Sequence, residues 1–453
     1  MPSASLSRWT MGYFAAACLF LLIGQALLAA GYGDPISAVE APSTLAVVHL
    51  FTAGWLGLLM SGALLQFVPV LIAKPLKGEG AAFPALGAIV AGASSLVIGF
   101  AGMAGDLSLA PHLLTCGALL LAGGYLCVAA ILVLTIATAR PLGLPARFVT
   151  VGLFCLCATF GLGVIFALAL SGFLPASWLA FLPDALPLHV ALGLGGWLSF
   201  SALGVSYRLL PMFMLAPDSA SRFGGKVWIA GSAAIAVLTA VLAMVLADVP
   251  GARIIMVAAL GLSVVGLGLY GADLLTIYRA RRRPQLELNS LASIAAFAAL
   301  AAGALWLTLA TIAGRLGEDV PAIVYLLGFG WLTGLGLAKL YKIVPFLTWL
   351  ECYGPVLGRG PTPRVQDLVN EPRARLWFAM FHCAVVASTV SLVLGSNLLF
   401  RSAASLQFAA IAGLCFEFFR ARSLMEVEPN KRLPAGAVRP NFFLPSFHPM
   451  RSQ

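Results

Sequence analysis

Charged residues make up only 10% of this 453-residue chain, while 61% of it is hydrophobic. Soluble globular domains carry about 25% charged residues, so this deficit excludes a water-soluble fold and points to a membrane protein. Several chemical signatures are missing as well. No Cys-x-x-Cys occurs among the eight cysteines, which argues against a disulfide framework. Lying within or at the ends of apolar runs, the cysteines read as small apolar fillers. Neither His-Glu-x-x-His nor Gly-x-Ser-x-Gly appears, so hydrolase readings have no support. The stretch "FGGKV" lacks both the leading glycine and the Ser or Thr of a phosphate loop.

Apolar length is abundant instead. A spanning helix needs roughly 20 mostly apolar residues. Twelve such runs start near Trp9, Thr44, Phe83, His112, Phe148, Leu186, Val227, Ala252, Leu291, Ala322, Leu376 and Ser402. No short apolar run with a small-residue cleavage site precedes the first, so Trp9–Gly31 reads as a retained span. With a cytoplasmic N-terminus, all of the 27 Lys and Arg except Arg253, Arg315 and Arg401 fall on the cytoplasmic side. The expected fold is therefore all-α: a polytopic membrane protein of 12 transmembrane helices with both termini cytoplasmic, in a bacterial-type inner membrane. Topology then accounts for the net charge of +10, and nucleic acid is not an expected partner.

One pattern occurs three times. "VVHLFTAGWLGLLMSGALLQFVPVL" begins at Val47, "HVALGLGGWLSFSALGVSYRLLPMF" at His189 and "YLLGFGWLTGLGLAKLYKIVPF" at Tyr325. These are the second, sixth and tenth runs, so the repeat unit is four helices, at about 1–140, 141–284 and 285–423, followed by a cytoplasmic tail over 424–453. Trp55, Trp197 and Trp331 align. Seven residues later come Gly62, Gly204 and Ala338; eleven later, Gln66, Arg208 and Lys342; fourteen later, Pro69, Pro211 and Pro345. At about 100° per residue these offsets return to the tryptophan direction, so each copy presents one stripe. Small residues let helices approach closely in a membrane, and proline loosens the last turn. All three copies run the same way, which makes them parallel repeats about the membrane normal.

Twelve helices in three such repeats resemble the heme–copper oxidase subunit I superfamily. The "HLFTAGW…GALLQFVP" and "HVALGLGGW…GVSYRLLP" stretches are also similar to NnrS-type membrane proteins, heme-associated relatives linked to nitric oxide metabolism. The resemblance implies that His49 stands where the family places a low-spin heme ligand, and His189 where it places a copper ligand. The departures are as informative. The seventh run, about 227–248, has no histidine, and the tenth has Tyr325 near where one is expected. The NnrS-like His-x-His-Glu cluster is absent too. A complete dioxygen-reducing centre cannot be assembled from these residues.

Ionisable groups inside a membrane are functional hypotheses by default. His49 and His189 are candidate heme or metal ligands, with hydrogen-bonded structural histidines as the alternative. Counted with the α-helical period, their offsets from the tryptophans put them about 160° apart. His112 reads as a wet helix-end residue, His382 as too deep on the cytoplasmic side to join His49, and His448 as a solvated tail residue. Gln66, Arg208, Lys339 and Lys342 are candidates for a polar path, with anchoring at the inner interface as the alternative; Asp273 and Glu417 are the nearby acids. Tyr207 and Tyr341 share one repeat position and read as packing. The Arg279–Arg283 cluster sets topology and suits anionic lipid headgroups. The long Pro/Gly-rich loop from Glu351 to Arg375 suits partner binding, and the tail either docks on the chain itself or meets a partner.

The expected function is a heme–copper-oxidase-like protein binding a b-type heme, or copper, near the outer surface through His49, His189 and Tyr325. It would serve electron transfer or handle nitric oxide or another small gas, beside a respiratory or denitrification partner subunit. The rival is a cofactor-free permease, or a structural or assembly subunit of a respiratory complex.

Overall fold

The computed structural model describes residues 9–441 apart from 37, 218, 219, 248, 359, 438 and 440, so His448 lies outside the described residues. Among the described residues twelve helices are long and apolar enough to cross a membrane. They are helix 1 (Thr10–Ala30), helix 2 (Pro42–Ile72), helix 3 (Glu79–Ala104), helix 4 (Ala110–Ile136), helix 5 (Leu144–Leu170) and helix 6 (Ala176–Met214). Helix 7 (Gly224–Val241), helix 8 (Ile254–Arg279), helix 9 (Leu288–Ala313), helix 10 (Leu316–Val356), helix 11 (Glu371–Val393) and helix 12 (Asn397–Arg422) complete the bundle. No β-strand occurs among the described residues; the only extended pairing there is an isolated bridge between Asp34 and Ala38.

Large apolar side chains cover the outside. Leu134, Phe154, Ile254, Leu376 and Leu398 are all more than half exposed. Such a coat would be an aggregation liability in water and is solvated in lipid. The chain is a multi-pass membrane protein in contact with a bilayer. Helices 6 and 10 begin before the apolar runs do, because their opening turns carry Asp184 and Pro187, and Glu318, Asp319 and Pro321.

Helices 2, 6 and 10 share an irregularity that apolar patterning does not reveal. In each, an α-helical stretch widens into a π-helix and returns to α. The π-helical segments are Leu50–Gly57, Ala191–Ser199 and Leu326–Thr333, each containing its tryptophan. Such i→i+5 segments are rare and gather at functional sites. The small residues of the stripe do what packing requires. A side chain at Gly62 would run into Tyr13 and Phe14 of helix 1, and one at Gly204 into Phe148 of helix 5.

The prolines cap helices 2 and 6 four residues later. Ala73 and Leu215 take left-handed backbone at φ 53°, and the following amides, Lys74 N and Ala216 N, donate to Pro69 O and Pro211 O at 3.1 and 2.9 Å. Helix 10 instead continues past Pro345 to Tyr353. There Cys352, Tyr353, Val356 and Leu368 pack with Leu424 and Val427, so the tail after helix 12 folds onto the chain's own long loop. Tyr353 OH donates to Arg432 O at 2.6 Å, and the Arg422 guanidinium donates to Asn441 O. All eight cysteines are free.

Candidate functional site

His49 ends the first α-helical stretch of helix 2, and His189 stands two residues before the π-helical segment of helix 6. Both imidazoles are half-buried and both are anchored the same way. His49 Nδ1 lies 2.8 Å from Leu45 O, one turn back on its own helix. His189 Nδ1 lies 3.0 Å from Thr159 O on helix 5. A carbonyl only accepts, so each Nδ1 carries the hydrogen and each Nε2 presents a lone pair. No hydrogen bond reaches either Nε2 among the described residues.

His189 lies within electrostatic reach of His49. The offset of about 160° remains, since two extra residues turn through roughly half a circle in an α- or a π-helix alike. Aromatic rings surround the pair. His49 stacks on Phe100 of helix 3 with ring centres 5.2 Å apart, and His189 packs at 5.5 Å from Phe166 of helix 5. Between helices 2 and 5, Tyr125 of helix 4 donates to Ala53 O at 2.5 Å and stacks on Phe160 at 4.3 Å. Gly163 lets the His189 ring approach: a Cβ there would meet His189 Cε1 at 3.3 Å. The result is two imidazoles with free Nε2 atoms in an apolar, aromatic setting.

Tyr325 directly precedes the π-helical segment of helix 10, as His49 does in helix 2, but its hydroxyl is committed elsewhere. It bonds to Gln407 Oε1 of helix 12 at 2.5 Å. Gln25 of helix 1 and Ser388 of helix 11 stand beside the same hydroxyl. His112 is exposed at the start of helix 4, as its helix-end position predicts. His382 packs near Gly334 of helix 10, and its Nε2 is buried without a hydrogen bond. Among the described residues no three His, Cys, Asp or Glu side chains gather around a common point.

The four polar-path candidates stand in separate settings. Gln66 receives Thr10 Oγ1 of helix 1 at 3.4 Å, and Arg208 is exposed. Lys342 pairs with Glu287 Oε2 at 2.7 Å beside a small cavity of about 20 Å³ that Asn289, Tyr341 and Glu371 help to line. Lys339, one turn earlier, helps to line a larger apolar cavity. The acids foreseen for these lysines are used otherwise. Asp273 accepts Tyr207 OH at 3.0 Å and the amides of Arg222 and Phe223 at 2.7 and 3.0 Å. Glu417 is bound by Arg373, which also reaches Glu426 at 2.7 Å. The sequence reading missed Glu287 because it precedes helix 9 rather than lying within an apolar run.

The sequence matches no protein-family model, and no curated protein matches it.

Proposed function

We propose that this protein holds a b-type heme between helices 2 and 6, where His49 and His189 are the residues that would ligate it. The observation that carries the reading is the shared anchoring of the imidazoles: each Nδ1 is held by a backbone carbonyl and each Nε2 is left free. Histidines that ligate metals are oriented in this way, since the outer hydrogen bond fixes tautomer and ring plane. The donor set suits heme better than a lone copper ion. A porphyrin brings four nitrogens and asks the protein for one or two axial groups, whereas copper needs ligands beyond this pair. Bound heme would supply one-electron transfer or reversible binding of a small gas such as nitric oxide. The protein's part is to orient the imidazoles and to surround the group with Phe100, Phe166 and Phe160, excluding water.

The same reading takes the bundle as three parallel repeats, with the histidines toward the outer face of a bacterial-type inner membrane and with both termini cytoplasmic. Its support is the recurrence of the π-helical segments in helices 2, 6 and 10 and of the proline caps in helices 2 and 6, together with the loop charges. Electron delivery implies a respiratory or denitrification partner. A cofactor-free permease would call for Gln66, Arg208, Lys339 and Lys342 along one route, whereas Lys342 and Lys339 line two different cavities.

Pyridine hemochrome quantitation of protein purified from heme-replete cells tests the proposal. Near-stoichiometric heme b in the wild type, lost in His49→Ala, is the expected result. Heme-free wild type would refute it.

A further inference from the structure

A second site lies apart from the histidines, in the second halves of helices 2, 6 and 10. There a cavity of about 100 Å³ is walled by apolar side chains, among them Leu56 and Leu59 of helix 2, Ala202 of helix 6, Leu335 of helix 10 and Phe297 of helix 9. Two polar side chains stand on its wall. Ser206 is engaged: its hydroxyl lies 2.6 Å from both Leu203 O and Tyr270 OH. Lys339 is not: its Nζ is buried with no hydrogen-bond partner and lies 5.7 Å from the centre of the Phe213 ring. Neighbouring Lys342 does have its carboxylate, Glu287, so the lack at Lys339 is local.

A buried ammonium without a counter-charge is costly, and intramembrane charges normally find a partner. An apolar void of this kind would otherwise stay dry, as an engineered 150 Å³ cavity does while binding benzene. Apolar walls and one unmatched cation together define a ligand. We infer that the cavity binds an amphiphilic monocarboxylate, its apolar body against helices 2, 6 and 9 and its carboxylate on Lys339. The size suits a body no larger than about that of benzene, or the head of an acyl chain entering from the bilayer. Both sources share the same chemistry, an anion on an apolar body. The site is independent of any heme.

The test uses the full chain in a neutral maltoside detergent, with 4-fluorobenzoate, fluorobenzene and 12-fluorododecanoate as probes read by ¹⁹F line broadening. Saturable binding of either carboxylate is expected, with fluorobenzene at least about tenfold weaker (about 1.4 kcal/mol). Lys339→Met removes the charge at similar length and should abolish the preference for the anion, while Lys339→Arg should retain it. Ala202→Phe keeps the lysine, fills the void and should block both carboxylates, so the inference is still tested if Lys339→Met folds poorly. Binding of 4-fluorobenzoate would identify a small carboxylate as the ligand; binding of 12-fluorododecanoate alone would identify an acyl amphiphile. Equal binding of fluorobenzene, binding indifferent to Lys339→Met and Ala202→Phe, or no saturable binding would overturn the inference.

Discussion

Trp55 donates its indole hydrogen to Thr333 Oγ1 at 2.9 Å, joining helix 2 to helix 10. Trp331 of helix 10 donates in turn to Ser199 Oγ of helix 6 at 3.0 Å. In each pair the acceptor stands two residues beyond the next tryptophan. A third bond of this kind would run from Trp197 to position 57, but residue 57 is glycine and Trp197 Nε1 is buried without a partner. Glycine is required there because the Tyr125 hydroxyl, bonded to Ala53 O, occupies the place a Cβ would take. The ring of indole bonds is thus open on the side where helix 4 leans in.

The open ring predicts unequal costs for one chemical change. Trp55→Phe and Trp331→Phe each lose a hydrogen bond, worth on average about 0.6 kcal/mol between membrane helices. Trp197→Phe removes a donor that was already unpaired, which relieves a desolvation cost. Unfolding by SDS titration should therefore rank Trp197→Phe as the mildest of the three. Equal losses would mean that Trp197 is paired in the membrane.

Gly57→Ala should cost about 1–3 kcal/mol, the usual range for overpacking. Adding Tyr125→Phe removes the hydroxyl but leaves the ring carbon Cζ at 2.8 Å, so rescue should be partial. The double-mutant cycle measures it, and full additivity of the two changes would contradict the close contact.

Leu215 ends helix 6 in a left-handed conformation and is 52% exposed. That conformation costs an L-residue roughly 1–2 kcal/mol, while glycine brings extra chain entropy to the unfolded state. Leu215→Gly should raise stability by about 0.5–1 kcal/mol, seen as a higher midpoint in thermal unfolding. A lower midpoint would show that the Leu215 side chain packs usefully against lipid or protein.

Beyond helix 12, Glu426 joins two guanidiniums, accepting Arg373 and Arg420 at 2.7 Å each. Burial by itself would push its carboxyl up; hydrogen bonds and charge from Arg373 and Arg420 outweigh that and hold it below the usual carboxylate range. A carboxyl depressed in the folded state stabilises fully above its unfolded value of about 4.3. That stability is lost as pH falls from there through the folded value. Glu426→Gln should lower the unfolding midpoint at pH 7 and flatten its fall below about pH 4.3. Parallel profiles for wild type and variant would remove Glu426 from the acid response.

The twelve helices were legible because a bilayer demands about 20 apolar residues per crossing, and little else produces such runs. The stripe of Gly62, Gly204 and Ala338 was legible because it lies past each π-helical segment, where the α-helical period holds. The relation of His49 to His189 was not. It depends on how neighbouring helices pack, with His189 held by Thr159 O of helix 5. Glu287 escaped for a similar reason, since an acid just outside a helix looks like loop until the structure sets it against Lys342. Tyr325 was legible as standing near where a histidine of the tenth run is expected, but its bond to Gln407 across 82 residues was not.

Heme held by His49 and His189 would be visible in the reduced-minus-oxidised absorption spectrum of the purified protein. Wild type should show a sharp reduced α-band of b-type heme. His49→Ala should lose it, and His189→Ala should lose it or shift it toward a five-coordinate spectrum. A wild-type spectrum without a Soret band, from protein made in heme-replete cells, would contradict the account.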